Sequence, residues 1–218
     1  VSTLFFDEKP GTTRRAFVVS KSMKLFALLS TLLTGTLLAA CSGGTPEYSP
    51  KPKGYPRLDL PATRYQPLTE PHPYRFEYSA HARVRPDTFR GAEPHWIFID
   101  YPQFGANVQL TYKDVRNDPK RLAAFISDAH KLAAKHQIKA YSIQDLRLKT
   151  PRGYNASLTE IAGEVPSQLQ FYTTDSTRHF LRGALYFQTA TQNDSLAPVI
   201  DYLKKDIVHL LNTLEWRK

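Results

Sequence analysis

A chain of 218 residues that is 41% hydrophobic and 22% charged has enough apolar material for one globular core and is too apolar for a disordered polyampholyte. Its single cysteine excludes an intrachain disulfide, so the fold rests on packing alone. The formal net charge of +9 suits anionic partners, namely nucleic acid, anionic lipid or acidic cell-wall polymers.

Residues 1–22 precede the only methionine, Met23, and read as an over-extended start. Within them "TTRRAFVV", with Arg14 and Arg15, resembles a twin-arginine export signal, but "SKSMK" separates it from the apolar run that follows. Residues 23–40 have the layout of a lipoprotein signal peptide. Met23 and Lys24 supply a positive start, and "LFALLSTLLTGTLLAA" is an apolar stretch short of the roughly twenty residues of a spanning helix. "LAAC", Leu38 to Cys41, fits a lipobox. Small side chains let the peptidase reach the backbone, and the Cys41 thiol is the group that can form a thioether to diacylglycerol. Cys41 is therefore the expected lipid attachment site, with acyl chains that anchor the protein to a membrane without spanning it. Ser42 after the cysteine, and the lack of an acidic cluster there, point to the outer membrane with the domain facing the periplasm.

Residues 41–54 are rich in Gly, Pro and Ser and read as an extended tether. Residues 55–218 read as one globular domain that begins with a docking arm, in which Tyr55, Leu58, Leu60 and Tyr65 face the rest of the fold. From Cys41 onward 24 Lys and Arg face 18 Asp and Glu, spread along the chain. An exported, dispersed basic surface of this kind points away from nucleic acid and towards lipid headgroups, cell wall, or plain solvation.

"RFEYSAHARVR", residues 75–85, alternates with period two, which predicts one half-buried strand with Phe76, Tyr78, Ala80, Ala82 and Val84 inward. "HWIFIDY", residues 95–101, is apolar on both faces and predicts a strand covered on both sides. "ANVQLTYKDV" alternates again through Val108, Leu110 and Tyr112. Asp118 as cap and Pro119 at the first turn open a helix whose stripe is Leu122, Phe125, Ile126, Ala129, Leu132, Ala133 and His136. Strands follow near 140–148, 154–164, 169–174 and 180–188. A last helix has Ser195 as cap and Pro198 in its first turn, with a stripe of Leu196, Val199, Ile200, Leu203, Ile207, Leu210, Leu211 and Leu214. Three strands, a helix, about four strands and a helix predict an α+β fold. Its mostly antiparallel sheet of about seven strands is covered by two helices as an α/β/α sandwich, and the element order resembles the Mog1/PsbP architecture.

"FYTTDSTRHF" places Asp175, Ser176 and His179 within five positions. A serine hydrolase draws its nucleophile, base and orienting carboxylate from separate parts of the fold, and no G-x-S-x-G elbow surrounds Ser176. The stretch reads instead as a hairpin turn between two strand patterns, with Arg178, His179 and Arg182 at its mouth. The scattered histidines, His130 and His136 among them, carry no metal spacing. Glu160 and Glu164 read as solubilising charges rather than as an acid pair acting on sugars. The sequence thus predicts no catalytic residue, no metal and no cofactor beyond the lipid on Cys41.

Three blocks, "YSPKPKGYPRLDLP", "LQFYTTDSTRHFLRGALYF" and "DSLAPVIDYLKKDIVHLLNTLEW", resemble the gliding-motility lipoprotein family GldD of Bacteroidota, with the likeness running from Cys41 to Trp216. The resemblance implies an envelope lipoprotein required for gliding motility and linked to type IX secretion. It would act as a non-enzymatic accessory or assembly component that binds protein parts of that machinery. It brings no catalytic residues. Tyr55, Arg57, Asp175, Arg178, His179 and Arg182 are then expected to form the docking surface. The alternative is a protein that binds or modifies peptidoglycan.

Overall fold

The computed structural model describes residues 59–188 and 193–217. Cys41, the signal peptide, the tether, Tyr55, Arg57 and Leu58 lie outside them.

The centre is a seven-stranded, wholly antiparallel sheet in the order β4-β5-β6-β10-β9-β8-β7. Its strands are β4 (Arg83–Pro86), β5 (Ile97–Tyr101), β6 (Ala106–Asp114), β7 (Ala140–Lys149), β8 (Asn155–Gly163), β9 (Leu169–Thr174) and β10 (His179–Phe187). Helix α1 (Pro119–Ala134) and the meander β7–β8–β9 are inserted between β6 and β10, which pair along their full lengths from His179 opposite Asp114 to Phe187 opposite Ala106. Helix α2 (Asn193–Thr213) follows β10.

The two helices take opposite faces, because successive side chains of a strand point to opposite sides. Leu158, Leu169, Phe171, Leu181, Leu185, Ile97, Ile99, Val108 and Leu110 form the main core with Val199, Leu203, Ile207, Leu210 and Leu211 of α2 and with Leu214 just after it. Full burial of each such side chain stabilises the fold by about 1.5–3 kcal/mol. On the other face Phe180 and Val115 pack with Ala129 of α1, flanked by Leu122, Phe125, Ile126 and Tyr172, and Ile161 and Val165 pack with Ala133. Helix α1 starts as its sequence dictates. The Asp118 carboxylate accepts the Lys120 N–H at 2.8 Å and Pro119 fills the first position.

The α/β/α sandwich and its seven antiparallel strands match the sequence expectation, but four local readings change. The stretch 75–85 is not one strand. Tyr74–Arg75 (β2) pairs with Glu215–Trp216 (β11), and Glu77–Ser79 (β3) pairs with Tyr65–Pro67 (β1). Only β4 joins the main sheet, after a turn closed by the Ala82 N–H donating to the Ser79 carbonyl. A period of two survives such breaks because each short piece keeps extended backbone. Strand β5 is fully buried on one face only. Phe98 lies under the Arg85 guanidinium, 4.0 Å from the ring centre, and Asp100 bonds that same arginine at 2.5 Å. Helix α2 begins at Asn193, so Ser195 and Pro198 fall inside it and not at its start. Leu132 and Leu60 are exposed instead of facing the core, whereas Tyr65 of the arm is docked.

Candidate functional site

The hairpin between β9 and β10 is held by Asp175. Its Oδ1 accepts the backbone N–H groups of Thr177, Arg178 and His179 at 2.9–3.0 Å. Partial burial pushes the carboxyl upward, yet these three donors and the nearby His179 outweigh it and hold Asp175 below the usual carboxylate range. Ser176 takes the left-handed conformation at φ 67° that the turn needs. Its hydroxyl oxygen accepts from the Asn155 side-chain amide at 3.1 Å. His179 Nδ1 lies 2.8 Å from the Tyr112 hydroxyl, its Nε2 is 4.0 Å from Asp175 Oδ2, and its ring is stacked on Trp216 at 5.0 Å between centres. Burial holds the His179 imidazole below its ordinary pKa, against the upward pull of Asp175. The arrangement spends Asp175 on backbone amides, Ser176 on Asn155 and His179 on aromatic packing. That is the chemistry of a pinned turn.

Of the expected docking residues, Asp175, Arg178 and His179 share the hairpin, and Tyr55 and Arg57 lie outside the described residues. Arg178 is exposed at the turn and Asp175 is half-buried beside it. His179 and Arg182 are both buried, and an odd and an even position of one strand place them on opposite faces of the sheet. Arg182 donates to the Gln170 amide oxygen at 2.6 Å, and among the described residues no carboxylate lies within ion-pair distance of it. Glu160 bonds Lys204 at 2.5 Å, and His130 stands 4.0 Å from Asp145, so neither belongs to an acid pair or a metal set. Among the described residues no three His, Cys, Asp or Glu side chains could together hold a metal ion, and no helix is long and apolar enough to cross a membrane.

Two clusters escape the sequence reading. The first surrounds Asp206, which is 2% exposed on α2. Tyr65 donates its hydroxyl to Asp206 Oδ1 at 3.2 Å, and the Ser79 and Tyr101 hydroxyls also face the carboxylate. Burial raises the Asp206 pKa in spite of these donors, and burial followed by the Asp206 charge raises Tyr65 to about 12. Tyr65 also stacks on His209 at 3.5 Å, and His209 bonds Glu77 at 2.8 Å. An aspartate set among Tyr202, Leu203, Ile207 and Leu210 was a readable signal, since it interrupts an apolar stripe from within. The second cluster is a polar groove of about 460 Å³ lined by Leu68, Arg75, Arg152, Thr213, Glu215 and Arg217, among others. Glu215 forms ion pairs with both Arg75 and Arg152, and Arg217 and Glu77 line the same groove. Residues from both ends of the domain build it, which no local pattern reveals.

Comparison with known proteins places the chain. Residues 45–216 match the family model described as gliding motility lipoprotein GldD. No curated protein matches the chain. Among solved structures, the solution structure of cyanobacterial PsbP from Synechocystis sp. PCC 6803 is similar at 10% identity and a TM-score of 0.43, covering 74% of this chain and 97% of that one.

Proposed function

The chain belongs to the gliding motility lipoprotein GldD family and is thus a lipid-anchored envelope protein associated with gliding motility; from that premise we propose that it acts as a non-enzymatic assembly component of the gliding apparatus, linked to type IX secretion. Cys41 carries the lipid, residues 41–54 form the tether, and the domain faces the periplasm from the outer membrane. The observation that carries the non-enzymatic part is the hairpin, where the sequence-local grouping of Asp175, Ser176 and His179 is consumed by backbone amides, Asn155, Tyr112 and Trp216. A serine nucleophile needs its base within hydrogen-bond reach, and here the base is engaged elsewhere. The test is complementation of a deletion strain. Ser176→Ala restores gliding as the parent chain does, whereas Cys41→Ala does not; loss of gliding in a stably expressed Ser176→Ala protein refutes the reading.

The groove of Arg75, Arg152 and Arg217 favours a second reading, in which the domain binds the carboxylates of peptidoglycan. Saturable binding of soluble peptidoglycan fragments, lost in Arg152→Glu, separates the two.

A further inference from the structure

The two edges of the main sheet are built differently. Edge strand β4 is four residues long, ends in Pro86 and carries Arg83 and Arg85, the devices that keep an edge from pairing. The opposite edge, β7, runs for ten residues from Ala140 to Lys149 without a proline, and among the described residues nothing pairs with its outer side. Large apolar side chains stand exposed on and beside it: Ile138 (93%), Tyr141 (80%) and Leu146 (56%). A long edge with uncovered apolar side chains is a template for another strand.

The sequence of β7 names the occupant. Asp145 and Arg147 lie on the sheet face that carries α1, since they pair with Thr159 and Ser157 of β8, and Leu146 between them points to the α2 face opposite Leu158. If a second β7 runs antiparallel about a two-fold axis through Leu146, the faces of the two sheets coincide and the pairs are fixed. Leu146 meets its own copy. Asp145 meets Arg147 and Arg147 meets Asp145, which gives two opposite-charge pairs on one face. Ile143 then faces the aliphatic stem of Lys149, and Gln144 faces Leu148. Asp145 has room for this role. Its Oδ1 accepts from Ser157 and Thr159, while among the described residues Oδ2 has His130 at 4.0 Å as its one ion-pair neighbour. Moving the axis to Asp145 sets Asp145 against Asp145, moving it to Arg147 sets Arg147 against Arg147, and moving it to Gln144 leaves Leu146 opposite Ser142 and both charges unpaired. One register is therefore self-complementary and its neighbours are not.

We propose that a second copy of this chain docks on β7 in the Leu146-centred register, joining the two sheets into one. The test uses the full chain in its native membrane with single cysteines added to the domain, where antiparallel partners stand about 5 Å apart between Cβ atoms. A short thiol crosslinker joins Leu146→Cys into a homodimer. Ile143→Cys alone gives none, because its copy lies six positions away along the strand, about 20 Å. Ile143→Cys co-expressed with Lys149→Cys does crosslink. Arg147→Glu, exposed and opposite Asp145, slows the Leu146→Cys reaction by about tenfold. Absence of a Leu146→Cys homodimer, equal yields from Ile143→Cys alone, or adducts formed only with a different protein each overturn the proposal.

Discussion

The Tyr65 hydroxyl donates to the buried Asp206 carboxylate at 3.2 Å across 141 positions of sequence, tying the short strand β1 to the middle of α2. Tyr65→Phe removes a donor from a buried acceptor and should cost about 1–3 kcal/mol, read as a lower urea midpoint at unchanged slope. Asp206 adds a pH signature. Its folded pKa is raised above 3.8, so its favourable contribution is complete below that value and is lost as pH rises through the folded pKa. Asp206→Asn should remove this decline.

His179 titrates in the opposite window. Burial depresses its folded pKa below 6.5, so the unfolded chain takes up a proton first and stability falls as pH drops through about 6.5. The groups facing it are Asp175 and Asp114, which oppose the shift, and Arg178, which adds to it. His72 and His136 are depressed in the same direction. Melting temperatures measured across that range should fall with acid in the parent chain and fall less in His179→Gln.

Gly183 exists for Phe171. A Cβ at position 183 would sit 2.2 Å from the Phe171 ring on the neighbouring strand, where the two residues pair directly. Gly183→Ala should therefore cost about 1–3 kcal/mol by overpacking, and Phe171→Leu should recover part of that loss in the double variant, a coupling that a denaturation cycle measures.

Arg182 is buried with Gln170 as its side-chain partner and no acid in reach among the described residues. Arg182→Met alone leaves the Gln170 oxygen without its donor. Removing both polar partners with Arg182→Met and Gln170→Leu should give a protein more stable than Arg182→Met, as chemical denaturation will show. Charge reversal at Arg182 consequently tests the fold, and Arg178 is the hairpin arginine whose reversal tests a partner.

Legibility followed the range of the interactions. Strand 169–174 and the helix opening at Asp118 and Pro119 were readable because alternation, capping and proline placement act over a few residues. The break of 75–85 into three strands was hidden, because what separates them is pairing outside the stretch, with Tyr65–Pro67 upstream and with Trp216 far away in sequence. The turn role of Asp175 was readable from its neighbours, whereas the burial of His179 and Arg182 depends on Trp216 stacking on one side and on the sheet face beneath α1 on the other. The groove around Glu215 joins Arg75, Arg152 and Arg217 and has no local signature.

The most direct test of the assembly role is crosslinking in living cells, followed by detergent extraction, pull-down of the tagged lipoprotein and identification of what accompanies it. Recovery of membrane components of the gliding and type IX secretion machinery is the predicted result. Recovery of cell-wall fragments without any such component would contradict it and assign the domain to peptidoglycan.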